Sequence, residues 1–184
     1  MLVYVLRIAL AFLGFPGVIV HELGHQVGCW LTGTRVLKVR YLRLGVPAGY
    51  VIHEQPASTW RHAVIAAGPF LLNSVLSFAV GWIHLQGWWR SDPSWLSPAV
   101  LLWLGVAVGM HAFPSLQDAT ELLDAVWTRG AGFLAKLLIT PVGAVMVLGA
   151  FAGWVFLDLA WGVALAWFAP RWATGRPFWG ALLP

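Results

Sequence analysis

Long apolar runs with few charges limit most strongly how this chain can fold. Hydrophobic residues make up 60% of the 184 residues, charged residues make up only 10%, and the mean hydropathy is +0.78. A soluble domain is nearer half apolar and a quarter charged. These proportions exclude the soluble, disordered, collagen-like and disulfide-scaffold classes, and they predict an all-α polytopic membrane protein.

The apolar runs predict about five transmembrane helices in a single domain that covers residues 1–184. One span needs about 20 residues. The last run, residues 131–170, is twice that length, so we expect two spans that turn near residues 149–153, with a single span as the alternative. The predicted spans cover residues 3–31, 61–84, 95–113, 131–149 and 153–170.

The segment between the first two spans has a different composition. Cations alternate with apolar residues, and glycines and prolines follow them, a pattern that predicts a short β-hairpin at the membrane surface after the first span. A basic loop held at the lipid headgroups is the alternative. The alternating residues are Arg35, Val36, Leu37, Lys38, Val39, Arg40, Tyr41, Leu42 and Arg43.

The distribution of cations predicts the orientation of the chain. The basic segment is followed by Arg61, whereas the next loop carries only Arg90, so the positive-inside rule places the basic segment in the cytoplasm. With five spans, the tail that carries Arg171 and Arg176 also lies inside. Because the few cations flank apolar runs, we expect the lipid bilayer as a partner and no nucleic acid. The expected location is the cell membrane of a prokaryote.

The motif His21-Glu22-Leu23-Gly24-His25 lies within the first predicted span. Residues four apart on a helix share a face, so both imidazoles can bind one zinc ion per chain. A catalytic zinc site takes three protein ligands and keeps a water, whose proton Glu22 would accept. The alternative is that the two histidines and Glu22 only bond to neighbouring helices. Ionisable groups in an apolar span are costly and are usually functional.

This motif and its surroundings resemble the site-2 protease class of intramembrane zinc metalloproteases. Residues 18–25 are similar to the zinc helix of that family, and residues 31–36 to the turn into its membrane-associated hairpin. A second block, residues 66–73, is similar to its small-Gly-Pro-x-x-Asn element. The resemblance covers roughly residues 15–118 and implies that Asn73 positions the substrate or stabilises the oxyanion; an interhelical hydrogen bond is the alternative.

The resemblance also implies a third zinc ligand. In the family this ligand is an aspartate that precedes a glycine and follows a stretch with asparagine and proline. Residues 111–119 keep the proline but lack the asparagine and the glycine. Asp118 is the expected ligand, and His111 is either a rival ligand or a hydrogen-bond partner of the site. Glu121 and Asp124 are expected to form a solvated acidic face.

These features together predict a zinc-dependent intramembrane endopeptidase with its active site towards the cytoplasm. It would hydrolyse peptide bonds in or near transmembrane segments of a substrate membrane protein, with Glu22 activating the water. The substrate helix must unwind, and it could add a strand to the predicted hairpin. The alternative is a catalytically inactive zinc-binding membrane adaptor or scaffold of the same fold. The sequence leaves the substrate and the oligomeric state open.

Overall fold

A computed structural model describes most of the chain. The described residues are 10, 12–45, 47–87, 98–128 and 130–177, without the side chains of 152 and 154. The beginning of the predicted first span, the break that carries Arg90 and the first residues of the predicted third span lie outside them.

The described chain is mostly helical, with one small antiparallel sheet, as the composition and the hairpin pattern predict. A 3-10 turn at Gly153–Val155 precedes helix α6, and a π-helical turn at Ala164–Phe168 joins α6 to α7. The elements are α1 (Phe15–Thr32), β1 (Val36–Arg40), β2 (Tyr50–His53), α2 (Thr59–Gln86), α3 (Pro98–Met110), α4 (Leu116–Trp127), α5 (Phe133–Ala152), α6 (Leu157–Val163) and α7 (Ala169–Thr174).

Helices α1 and α2 pack closely through small residues. A Cβ placed on Gly24 would lie 2.6 Å from the Cα of Pro69, and one on Gly28 would lie 2.7 Å from the Cα of Ile65. Only glycine permits backbones to approach so closely, which is the usual way for apolar helices to gain contact. Glycine at position 24 therefore holds the neighbouring His25 against α2.

The predicted β-hairpin is present, where the alternative was a basic loop without strands. Strand β1 pairs with β2 in antiparallel register, with Arg40 opposite Tyr50 and Val39 opposite Val51. The pairing is irregular between Val36 and Lys38. The hairpin leaves α1 after Gly33, whose φ of 67° ends the helix in the left-handed conformation that glycine favours.

Helices α3 and α4 pack in succession along α2 and run antiparallel to it. The hydroxyl of Ser77 in α2 donates to the carbonyl of Gly105 in α3 at 2.8 Å. Further towards the start of α2, Ala66 packs in one cluster with Ala119 and Leu122 of α4. Helix α3 therefore ends at Met110, before residue 113, where the predicted third span ends. Helix α4 then continues in the same direction.

The expected reversal near residues 149–153 is not found. Gly143 lies against Leu123 and Gly149 against Phe113, so α5 runs antiparallel to α4 and towards α3. Gly162 then lies against the carbonyl of Val106, so α6 continues antiparallel to α3. The 3-10 turn and Phe156, with φ of 59°, offset the helix axis without reversing it.

This path also changes the predicted place of the C-terminal cations. Arg176 donates to the carbonyl of Leu85 at 2.8 Å, at the end of α2 opposite the hairpin. The predicted five-span path placed Arg171 and Arg176 on the same side as the hairpin. In the structure α5, α6 and α7 run in succession alongside α2 and in the same direction, from its first turns to its last.

Two helices in the described part of the chain are long and apolar enough to cross a membrane. They cover Thr59–Gln86 and Phe133–Phe151, and Pro98–Met110 is a shorter apolar helix. Length and composition thus agree with two of the five predicted spans, and the prediction of five spans is not confirmed.

Candidate metal centre

Three of the predicted site residues converge between α1 and α4. His21, His25 and Asp118 each offer one ligand atom, and these atoms lie within 4.8 Å of one another. Nε2 of His25 is 3.4 Å from Oδ1 of Asp118, and Nε2 of His21 is 3.9 Å from Oδ2. Two imidazoles and a carboxylate at these distances could hold one metal ion.

Backbone carbonyls orient both imidazole rings. Nδ1 of His21 donates to the carbonyl of His111 at 2.8 Å, and Nδ1 of His25 donates to the carbonyl of Ile65 at 3.1 Å. A carbonyl only accepts, so Nδ1 carries the proton in each ring. In the neutral imidazole, Nε2 is then the nitrogen with a lone pair, and on both rings Nε2 is the nitrogen that faces Asp118. This arrangement is typical of histidines that bind metal ions.

Asp118 is held by the first turn of its own helix. Its Oδ2 accepts from the backbone N–H of Ser115 at 2.8 Å and from the Ser115 hydroxyl at 2.6 Å. Ser115 is the N-cap of α4, and the two residues form a capping box. These bonds fix the carboxylate while its Oδ1 points to His25.

The two histidines favour the charged form of the Asp118 carboxylate, which is the form that binds metal. Burial raises its pKa, but the interactions with His21 and His25 lower it by more, so the pKa lies well below its usual range. Metal binding then needs no deprotonation of this ligand.

Glu22 is mostly buried, with 8% of its surface exposed, and it lies beneath the loop that leads into β2. A Cβ on Gly49 would lie 2.6 Å from Cγ and 2.8 Å from Oε1 of Glu22. Any larger residue at position 49 would displace the glutamate. The loop at residues 47–49 therefore covers the carboxylate of Glu22.

The site opens into two cavities that share His21 and Glu22. The apolar cavity, about 410 Å³, is bounded by residues of α1, α3 and α5, among them Val18, Met110 and Phe151. The polar cavity, about 330 Å³, is bounded by β2 and by the first turns of α4, including Gln117 and Asp118. The three candidate ligands and Glu22 thus lie between an apolar and a polar compartment.

Asn73 braces three helices. Its side chain is fully buried, and its Nδ2 donates to the carbonyls of Gly17 at 3.1 Å and Val108 at 2.9 Å. An amide group has two N–H donors, and both are used here. The residues that line the two cavities do not include Asn73. The interhelical hydrogen bond accounts for this geometry, and the role in positioning the substrate or stabilising the oxyanion stays a prediction.

His111 supports the site through its backbone rather than as a member of the ligand group. Its carbonyl accepts from His21, and its ring Nδ1 donates to the carbonyl of Ala107 at 2.9 Å. The ring also lies against Gly17 and lines the apolar cavity. The structure therefore groups Asp118, and not His111, with the two motif histidines.

Sequence reasoning gave no role to Ser115, to Gly49 or to the carbonyl of Ile65. Ser115 could have been found, because serine three residues before an aspartate is a recognisable capping pattern. The carbonyl of Ile65 has no sequence signal, since every residue carries a carbonyl. The position of Gly49 beside Glu22 depends on the path of the hairpin.

Replacing Ser115 with alanine should weaken zinc binding by about 10- to 100-fold, because Asp118 loses a supporting hydrogen bond. The variant also loses an N-cap, so Ser58→Ala, which removes the N-cap of α2 away from the site, is the matched control. Zinc affinity can be measured by competition with a chromogenic chelator. Equal affinities in the two variants would show that Ser115 only caps the helix.

Comparison with known protein families, characterised proteins and solved structures finds no match to this chain. Support for a function therefore comes from the geometry of the site.

Proposed function

We propose that this chain is a zinc-dependent intramembrane endopeptidase. The observation that carries the proposal is the convergence of His21, His25 and Asp118 within 4.8 Å, with Glu22 in the same cavities. Two nitrogens and one oxygen from the protein leave a coordination position open, as catalytic zinc sites do, whereas structural sites are closed by four protein ligands.

Glu22 is the group that moves protons in the proposed reaction. A zinc ion at this site would lower the pKa of a water and polarise the carbonyl of the substrate. The Glu22 carboxylate accepts a proton from the attacking water and delivers it to the amide nitrogen as the peptide bond breaks. Its position in both cavities gives it access to water on one side and to an apolar chain on the other.

The two cavities suit the two reactants. The apolar cavity offers Val18, Met110 and Phe151 to residues of a membrane-embedded substrate. The polar cavity is bounded by β2, whose other edge pairs with β1. Adding an extended substrate strand at the side of β2 would satisfy the backbone of an unwound helix next to Glu22.

A membrane location is supported by two apolar helices and by the exposed tryptophans. Trp30, Trp60 and Trp127 are exposed at the hairpin end of the molecule, and Trp172 is exposed near the opposite end. Tryptophan is enriched at both interfaces of a bilayer. We place the hairpin end, which carries the basic residues, on the cytoplasmic side.

A reporter fused to the C-terminus should lie on the opposite side of the membrane from the hairpin, because Arg176 bonds to Leu85 at the far end of α2. In bacterial cells, a C-terminal alkaline phosphatase fusion is expected to be active and a fluorescent protein fusion dark. Fusions inserted after Arg43 should give the reverse pattern. Matching patterns at both positions would contradict the path of α5 to α7.

The proposal is tested with the purified chain in lipid nanodiscs and a panel of single-span reporter proteins. We expect cleavage that stops after treatment with a zinc chelator and returns when stoichiometric zinc is added. The non-chelating isomer of the same compound is the control and should have no effect. Full zinc occupancy without cleavage of any reporter would favour a zinc-binding adaptor, and cleavage by the metal-free protein would refute the mechanism.

A further inference from the structure

Three cations surround one phenol on the hairpin. Arg40 lies directly opposite Tyr50 in the strand register. Nζ of Lys38 is 5.8 Å from the centre of the Tyr50 ring, and Cζ of Arg43 is 5.5 Å from it. Hydrogen bonding by Lys38, with a smaller contribution from Arg40, lowers the pKa of Tyr50. The hairpin therefore concentrates positive charge and hydrogen-bond donors at one place.

Within the described residues, the ion pair of the hairpin lies away from Lys38 and Arg40. Arg35 pairs with Glu54 at 3.5 Å, at the other end of the hairpin. Within the part of the chain that the structure describes, neither Lys38 nor Arg40 forms an ion pair with a carboxylate. Lysine and arginine that are clustered and lack acidic partners attract anions, phosphate above all.

Exposed apolar residues flank the same cations. Leu44 is 96% exposed, and Leu37 and Leu42 are also exposed. At the bases of the hairpin, Trp30 near the end of α1 and Trp60 at the start of α2 are exposed as well. Tryptophan marks the boundary between hydrocarbon and headgroups. Leucines that insert beside cations at that level are typical of interfacial segments that bind anionic lipids.

We propose that Lys38, Arg40 and the Tyr50 hydroxyl bind the phosphate of an anionic lipid headgroup, with the neighbouring leucines in the acyl layer. The inference rests on the proposed membrane location and not on peptidase activity. The proposed lipid site is connected to the metal centre through the backbone, because the residue before Tyr50 is Gly49, which lies against Glu22. Lipid binding thereby sets the position of the loop that covers Glu22.

The test measures lipid retention by the full-length purified chain in neutral detergent, using native mass spectrometry with added phosphatidylglycerol. The double variant Lys38→Gln, Arg40→Gln should bind this lipid about 30-fold more weakly, since each cation near a membrane surface contributes about fivefold. The matched control, Lys136→Gln with Arg176→Gln, loses the same charge at two positions outside the hairpin and should bind as the wild type does.

Further measurements distinguish a lipid phosphate from inorganic phosphate and from an acidic peptide. Phosphatidylcholine should bind weakly, and neither inorganic phosphate nor a glutamate-rich peptide should displace phosphatidylglycerol at equal concentration. In the wild type, retention should fall as salt rises from about 0.05 to 0.5 M, a result that does not depend on any variant. Equal retention by the hairpin variant, a lack of salt dependence, or displacement by the peptide would each overturn the proposal.

Discussion

Replacing Glu22 with glutamine should lower the rate of reporter cleavage by about 10²- to 10⁴-fold, because the amide cannot accept the proton of the attacking water. Zinc occupancy should stay at the wild-type level, since Glu22 is not among the three residues that converge as candidate ligands. The measurement combines cleavage rates in nanodiscs with zinc analysis of the same samples. A loss of rate with intact zinc identifies a role in the chemical step rather than in metal binding.

A control separates this effect from a general loss of negative charge. Asp124 lies on the acidic face of α4, outside the linings of the two cavities at the metal centre. Asp124→Asn removes the same charge as Glu22→Gln and should leave cleavage within about twofold of wild type, because exposed charges contribute little at a distance in salt. Cleavage by Glu22→Gln at the rate of this control would contradict the proposed role of Glu22.

Replacing Asp118 with alanine should lower zinc affinity by at least about 100-fold, because removal of a ligand costs more than removal of its supporting bond. His111→Ala should keep most of the zinc affinity. Its backbone carbonyl, which accepts from Nδ1 of His21, is unchanged by the substitution. Isothermal titration of the metal-free variants with zinc would provide both values. The opposite order, with affinity lost in His111→Ala and kept in Asp118→Ala, would make His111 the ligand.

The motif histidines and the hairpin could be predicted from the sequence because each has a local signal. Residues four apart share a helix face, and period-two alternation of Arg35 to Leu42 indicates strands. Placing Asp118 near His21 and His25 needed the family resemblance, since the aspartate lies 93 positions after the second histidine. The structure brings these three together independently of that resemblance.

The path of residues 133–176 could not be predicted in the same way. Hydropathy measures how apolar a segment is and does not indicate its direction. The glycines at positions 149 and 153 indicated a turn, yet Gly149 allows close packing against Phe113, and the 3-10 turn after α5 only offsets the helix axis.

The role of Asn73 could not be predicted from the sequence either. A buried asparagine can bond to neighbouring helices or assist a substrate, and the residue type does not distinguish the two roles.

The most direct test of the central claim is zinc X-ray absorption spectroscopy on the purified chain, together with the number of zinc ions per chain. The account predicts one zinc, with two imidazole nitrogens at about 2.0–2.1 Å, carboxylate oxygen at about 2.0–2.2 Å and an exchangeable water in the remaining position. A sulfur ligand from Cys29, four protein ligands without water, or failure to bind zinc at all would contradict it.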